Sequence, residues 1–519
     1  MVHLGYEDKP LSAKMIRNVA FGGLRAMLVA PVPFLLTPLI LSKVGTRGYG
    51  TWAVFVAING MTSLADLGLL GTMSKYVAEY YARRDYPRLN RLLNTGLVVF
   101  GLLASVIAGV LWLASSKIVA LLFRGSVLGA HDLLYLFHCA LIMIWANILT
   151  FLSSSVTSGL QRLDLTNVMA AFNIVCAAVG GAVFLLLGWG VRGLLYASIG
   201  SAVLTLLIYT VLVRKLLPQV TVNPFLADFE EAKKIFRFSL QIYVTQAAVA
   251  IHIQIEKLFL ALFVGVVPVG WYDIASDVAL KMRGVPGLLL SPVLPAASEL
   301  DARGEHDKVT ELYYRAHKYL AFVGVPLVLF LVSVSSRFVQ LWIGPGLEIV
   351  ALPLCILLLV NFFNLTTGPG YMIFAGQGFL RPGMYSALLG ISLNIPLSLV
   401  LIYLDGFRGA VIGTSISIVA ASAFFLVLFH RHTHSSATRV LREAYLKPAL
   451  VSAVLLLAEF LISPAREMSW LGLIVHGLVF AAVYAATLLS AGFFDGYDWA
   501  KIENVVPLAR VARRIVPAA

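Results

Sequence analysis

The chain has 519 residues, 60% of them hydrophobic and 13% charged, with a mean hydropathy of +0.88. A soluble domain carries about 25% charged residues, so these values exclude a soluble globule of this size. The formal net charge of +13 does not call for nucleic acid, because basic loops facing anionic headgroups account for it.

A helix crosses the hydrocarbon core with about 20 apolar residues. Fourteen such stretches are expected, at 18–42, 49–71, 95–115, 133–158, 167–188, 191–213, 237–264, 269–296, 317–342, 346–373, 383–404, 407–429, 447–463 and 470–492. The segment ahead of them lacks the apolar run and small-residue cleavage site of a signal peptide, so it is expected to persist in the mature protein. The polar segment 214–236 divides the first twelve spans into two sixes. The expected organisation is an N-lobe (1–213, spans 1–6), a cytoplasmic linker (214–236), a C-lobe (237–430, spans 7–12), two extra spans (431–492) and a cytoplasmic tail (493–519). Cys139, Cys176 and Cys355 all fall in apolar spans and read as small core residues rather than a metal cluster or disulfide framework.

Orientation follows from Lys and Arg in the connecting segments. With the N-terminus inside, the inner segments hold 27 of the 39 basic residues and the outer loops 8. Both termini are therefore expected in the cytoplasm.

Two stretches 220 positions apart are copies. Residues 79–88 read EYYARRDYPR and residues 299–308 read ELDARGEHDK. The same offset aligns VGTRGYGTW (44–52) with VGVVPVGWY (264–272), so Gly45 meets Gly265 and Gly50 meets Gly270. A second repeat pairs Gln161 with Gln377 and the Arg192-Gly193 corner with Arg408-Gly409. A duplicated module of about six spans points to a transporter with two lobes around a central path.

These motifs carry a family resemblance. VGTRGYGTW, ADLGLLGTMSKYVAEYYARRD (65–85) and IEKLFLALFVGVVPVGWYDIA (255–275), in this order and spacing, make residues 15–430 resemble the polysaccharide exporters of the MOP flippase superfamily, which move O-antigen and other lipid-linked oligosaccharides. The resemblance implies an all-α integral membrane protein: two six-helix lobes related by a pseudo-two-fold along the membrane normal, with a central cavity and alternating access. The fourteen-span count also looks like that of the lipid II flippase branch, where two extra helices form a lipid groove.

Ionisable groups inside spans are costly and usually face a cavity. Span 8 has Asp273, Asp277 and Lys281 on one face at i, i+4, i+8, with Arg283 on an adjacent one. They form either a polar stripe along the cavity or an Asp277–Lys281 pair that neutralises itself and pins packing. In span 7, Glu256 and Lys257 lie about 100° apart and cannot share a partner. Lys257 either joins the cavity or snorkels to the outer headgroups. His252 and Glu256, at i, i+4, are either a proton- or cation-responsive pair or packing residues. Arg25 in span 1 reads as a phosphate-binding group, and Asp66 at the inner end of span 2 as a gate. Prolines 31, 33 and 38 in span 1, and 286, 292 and 295 in span 8, predict kinks. Asn173 and Asn394 are expected to bond between helices. The His430, His432, His434 cluster reads as a solvated tail rather than a metal site.

The leading function is a flippase for a polyprenyl-pyrophosphate-linked oligosaccharide, in which Arg25, Lys257, Lys281 and Arg283 bind substrate phosphate. Coupling and gating then fall to Asp66, His252, Glu256, Asp273 and Asp277. The alternatives are a cation-coupled multidrug or metabolite antiporter of the same superfamily, and a lipid II flippase. An enzyme is disfavoured, because the longest outer loop (116–132) is about 17 residues with only His131 and Asp132 as acid–base candidates. No cofactor or resident metal is expected, and without a nucleotide-binding motif the energy must come from an H+ or Na+ gradient, the membrane potential or the substrate gradient. Expected partners are the lipid-linked oligosaccharide, membrane lipids, and the polymerase and glycosyltransferases of the same pathway. The expected location is the bacterial inner membrane.

Overall fold

The computed structural model describes residues 29, 31–61, 69–462 and 469–499, and it is helical throughout them, without a strand. Nine helices among the described residues are long and apolar enough to cross a membrane. The chain is an all-α membrane protein.

Helix α1 (Pro31–Gly60) is two helices joined at Gly45, whose φ of 67° and ψ of −178° break the ladder. Then come α2 (Leu69–Ala82), α3 (Tyr86–Leu113), α4 (Ser115–Leu122), α5 (Ala130–Gly159), α6 (Leu163–Leu186) and α7 (Gly190–Leu216). Asp85 caps α3 by accepting from the Arg88 amide, with proline in the first turn, a start signal read directly from sequence. Helix α8 (Phe229–Phe263) opens on Asp228, which accepts from the amides of Glu230 and Glu231. Those two carboxylates also complement the helix dipole.

After α9 (Val266–Met282) the expected span 8 breaks. The chain runs through a four-residue helix (Gly284–Gly287) and a 3-10 turn (Leu288–Leu290) before α10 (Val293–Ala302). Pro286 and Pro292 lie in and beside that interruption, as the loss of their amide donors requires. The rest comprises α11 (His306–Ile343), α12 (Ala351–Leu365), α13 (Gly368–Gly376), α14 (Arg381–Thr433), α15 (Lys447–Ile462) and α16 (Trp470–Ser490). Helix α14 is two helices bent at Asp405 and Gly406, the latter with φ 51°.

Two compact units emerge from internal contacts: Met1–Ile274 with Ile391–Thr414, and Ala275–Gly390 with Ser415–Ala519. This partition groups residues by contact, whereas the repeat groups them by descent along the chain. In the first unit α5 packs on α2, α3 and α7, and α6 lies along α7. In the second, α11 is the central helix, flanked by α10, α12 and α15. Its N-terminal end is buried in a cluster that includes Val293, Ala297, Tyr313, Phe374 and Phe429.

The repeat has a backbone counterpart. After α2, the amides of residues 83, 84 and 85 bond to the carbonyls of residues 79, 81 and 80. After α10, the amides of 303, 304 and 305 bond to the carbonyls of 299, 301 and 300 in the same pattern. The ion pairs repeat too: Arg83–Glu79 (3.1 Å) and Arg88–Asp85 (3.4 Å) recur as Arg303–Glu299 (2.5 Å) and Lys308–Glu305 (2.9 Å). In the second repeat the left-handed residues are Gln161 and Gly378, which shifts the sequence pairing by one position.

Candidate functional site

The first unit assembles a polar centre from four separate stretches of chain. Lys257 Nζ donates to Asp273 Oδ1 at 2.5 Å, with the two side chains only 9% and 16% exposed. Asp273 Oδ2 accepts from the Tyr49 hydroxyl at 2.7 Å. Lys257 thus does not snorkel; its charge is balanced inside the fold.

Tyr49 reaches Asp273 because α1 and α9 approach at glycines. A Cβ on Gly50 would stand 2.0 Å from the Val266 carbonyl oxygen, and one on Gly270 would stand 3.2 Å from Gly50 Cα. Only the absence of side chains at both positions permits this crossing. The two glycines that align across the repeat are therefore the two that touch.

Glu256, one residue before Lys257, faces elsewhere and is fully buried. Its Oε1 accepts from Asn394 Nδ2 at 2.6 Å and from Thr414 Oγ1 at 2.9 Å. Thr414 in turn lies 2.9 Å from the Tyr272 hydroxyl, and Asn394 Nδ2 is 3.4 Å from Ser398 Oγ. Glu256 Oε2 has no hydrogen-bond partner among the described residues. A buried carboxylate with an unsatisfied oxygen is costly. The donors to its other oxygen, Asn394 and Thr414, are neutral.

In the second unit, Asp277 and Lys281 form an ion pair one turn apart on α9, each about one-third exposed (37% and 35%). Arg283, just past the end of α9, is different. Its Nη1 donates to Asn361 Oδ1 at 3.3 Å, and no carboxylate pairs with it among the described residues. Asn361 is itself buried and anchored by its own bond to the Leu357 carbonyl at 2.8 Å. The guanidinium is held by a neutral amide rather than by a carboxylate.

Arg25 and Asp66 lie outside the described residues, as does the side chain of His252. The structure brings Lys257 to Asp273 and Asp277 to Lys281, and joins Glu256 to Asn394 and Thr414 instead. Sequence reasoning missed Tyr49, Tyr272 and Thr414, which are ordinary residues in apolar helices. Asn394 did give a signal, as an amide in an otherwise apolar span. His432 stacks on Phe379 at 4.7 Å, and His430 bonds Ser435.

Known proteins resemble the chain as follows. The family model described as polysaccharide biosynthesis protein matches residues 15–301. A Shigella flexneri protein assigned to O-antigen transport is 20% identical over 394 residues, covering 75% of this chain and 91% of that protein. Among solved structures, the lipid II flippase MurJ in an inward closed conformation aligns with a TM-score of 0.75 at 14% identity, covering 91% of this chain and 98% of that one. An inward-facing multidrug resistance MATE transporter of the MOP superfamily aligns at 0.60 and 16%, covering 79% and 98%. At those identities the two structures share the fold.

Proposed function

The chain belongs to the polysaccharide biosynthesis protein family, and from that premise we propose that it flips a polyprenyl-pyrophosphate-linked oligosaccharide from the cytoplasmic to the outer leaflet of the bacterial inner membrane. It is a multi-pass membrane transporter of the MOP type and not an enzyme. The polymer served is O-antigen, capsule or exopolysaccharide, with polymerase and glycosyltransferases as pathway partners and both termini cytoplasmic.

The observation that carries an anionic substrate is Arg283. A guanidinium about 25 Å along from the start of α9, at 1.5 Å per residue, is costly in a membrane span unless it meets an anion. Asn361 positions it without neutralising it. A pyrophosphate suits that guanidinium in charge and in its bidentate geometry. Lys281 stands half a turn before it, and Arg25 is the proposed counterpart in span 1. Lys257 joins these cations only when its pair with Asp273 opens.

Glu256 is the proposed coupling residue. Its unsatisfied oxygen supports binding of H+ or Na+, with Tyr272, Asn394 and Thr414 fixing its orientation. Alternating access would switch Asp66, His252, Asp273 and Asp277 as gates, within two six-helix lobes (1–213 and 237–430) and the two added spans.

The test is export in a deletion strain carrying plasmid-borne variants. Arg283→Ala should leave lipid-linked oligosaccharide on the inner leaflet and abolish surface polymer, with Arg283→Lys partly restoring it. Drug tolerance should not change in either variant. An inserted, folded Arg283→Ala protein that exports at the native rate would sink the proposal, and loss of drug efflux alone would favour the antiporter reading.

A further inference from the structure

Away from the buried charges, the second unit has a basic cleft of about 600 Å³ lined by α11, the start of α15 and the segment after α16. Its lining carries five cations (Arg315, Lys318, Arg439, Arg442 and Lys447) and three carboxylates (Glu311, Glu443 and Asp495). The charges are not evenly matched. Arg315 pairs with Glu311, Asp495 and Asp498, and Lys318 with Asp498 at 2.5 Å. Asp498 is fully buried behind the cleft wall. These two cations are neutralised.

Among the described residues the other three have one carboxylate between them. Arg439 Nε donates to Glu443 at 2.9 Å and lies over the Tyr314 ring at 4.1 Å. Among the described residues Lys447 Nζ donates to the Ala491 carbonyl alone, at 3.2 Å. Arg442 is exposed and has no ion pair among the described residues. Counting Glu311, Glu443, Asp495 and Asp498 against the five cations leaves a net charge of about +1, with the unmatched cations at Arg439, Arg442 and Lys447.

Two further observations give the site its shape. Residues Leu441–Leu446 form a π-helical turn, a rare geometry that is retained mostly at functional sites. It re-aims Arg442 and Glu443 relative to a continuous helix. Directly beyond it, Leu446 lines the cleft, and Leu450, Val454, Leu457 and Leu461 follow on the same helical face. Each of these five is 46–70% exposed. A cationic cleft opening onto an apolar stripe presents the two halves of a phospholipid with matching chemistry in the right order.

We propose that this cleft seats the phosphate headgroup of an anionic phospholipid, bound by Arg439, Arg442 and Lys447, with an acyl chain along the 446–461 stripe. On the orientation proposed above, the lipid belongs to the inner leaflet, where anionic headgroups attract basic segments. The stripe is what separates a lipid from a free phosphate, since inorganic phosphate or glycerol phosphate would use the cations alone.

The test is native mass spectrometry of the full chain released from nanodiscs of equal phosphatidylglycerol and phosphatidylcholine content. The wild type should retain phosphatidylglycerol preferentially. The Arg439→Gln/Arg442→Gln pair should lower that preference by about fivefold for each cation removed. Arg303→Gln, at an exposed cation on another segment, should leave it unchanged, and millimolar glycerol phosphate should not compete. Equal retention of the two lipids by the wild type, an unaltered preference in the double variant, or full competition by glycerol phosphate would each overturn the proposal.

Discussion

Arg84 and Gly304, 220 positions apart, occupy the same left-handed turn, with φ of 55° and 70°. Each follows a helix, each donates its amide three residues back, and each precedes the capping residue of the next helix. One copy uses glycine, which adopts this backbone without cost, and the other holds an arginine there. Gly304→Ala should lower stability by about 1–2 kcal/mol, and Arg84→Gly should raise or preserve it. Thermal unfolding of the detergent-purified protein reads both, and a neutral Gly304→Ala would show that the turn does not hold this conformation.

The contact at Gly50 is steric rather than conformational. Gly50→Ala should push α1 off α9, costing about 1–3 kcal/mol as an overpacked site, and weaken export by displacing Tyr49 from Asp273. Gly101→Ala, where a Cβ meets nothing within 4 Å, serves as the control and should be silent.

A half-broken buried ion pair is worse than none. Lys257→Ala alone should cost about 3–5 kcal/mol by leaving the Asp273 charge buried, while Lys257→Ala/Asp273→Ala should cost less. The hydroxyl of Tyr49 moderates but does not cancel the stranded charge. A double variant as unstable as the sum of its singles would show that the two groups do not interact.

Glu256→Gln keeps the hydrogen bonds from Asn394 and Thr414 to one amide oxygen and removes the titratable charge. If Glu256 couples export to an ion, this variant should insert normally and lose the dependence of export rate on the H+ or Na+ gradient. A wild-type response to gradient collapse would rule Glu256 out of coupling.

The segment after α16 should loosen in acid. Burial raises the Asp495 carboxyl, but the backbone N–H of Asp498 and the charges of Lys318 and Arg315 outweigh it, so the net shift is downward. A carboxyl lowered in the folded state stabilises it above the ordinary carboxylate range, and that contribution is lost as pH falls through and below about 3.9. Hydrogen exchange across 491–499 should rise over that window, and Asp495→Asn should flatten the response.

The sequence by itself determined the membrane class, some of the helix ends and the turn signals that recur in the repeat, because these are local. Hydropathy sets where a helix must cross, and the expected 470–492 and 191–213 appear as Trp470–Ser490 and Gly190–Leu216. Glycine, proline and Asx caps act within a turn, so the bend at Gly45, the interruption near Pro286 and the cap at Asp85 could be read in place. The charged residues were visible too, but not their partners. Asp273 stands on the same helix as Asp277 and Lys281, yet its bonds go to Lys257 and Tyr49, 16 and 224 positions away. Glu256 is joined by Asn394 and Thr414, more than 130 positions on. Such pairings depend on which helices come within about 3 Å of each other, and that is decided by packing: by where glycines permit close approach and by which polar atoms are left unsatisfied once the apolar surface is buried. Tertiary structure alone therefore decided that Lys257 pairs with Asp273, that Arg283 meets an amide and no carboxylate among the described residues, and that one oxygen of Glu256 has no hydrogen-bond partner among them.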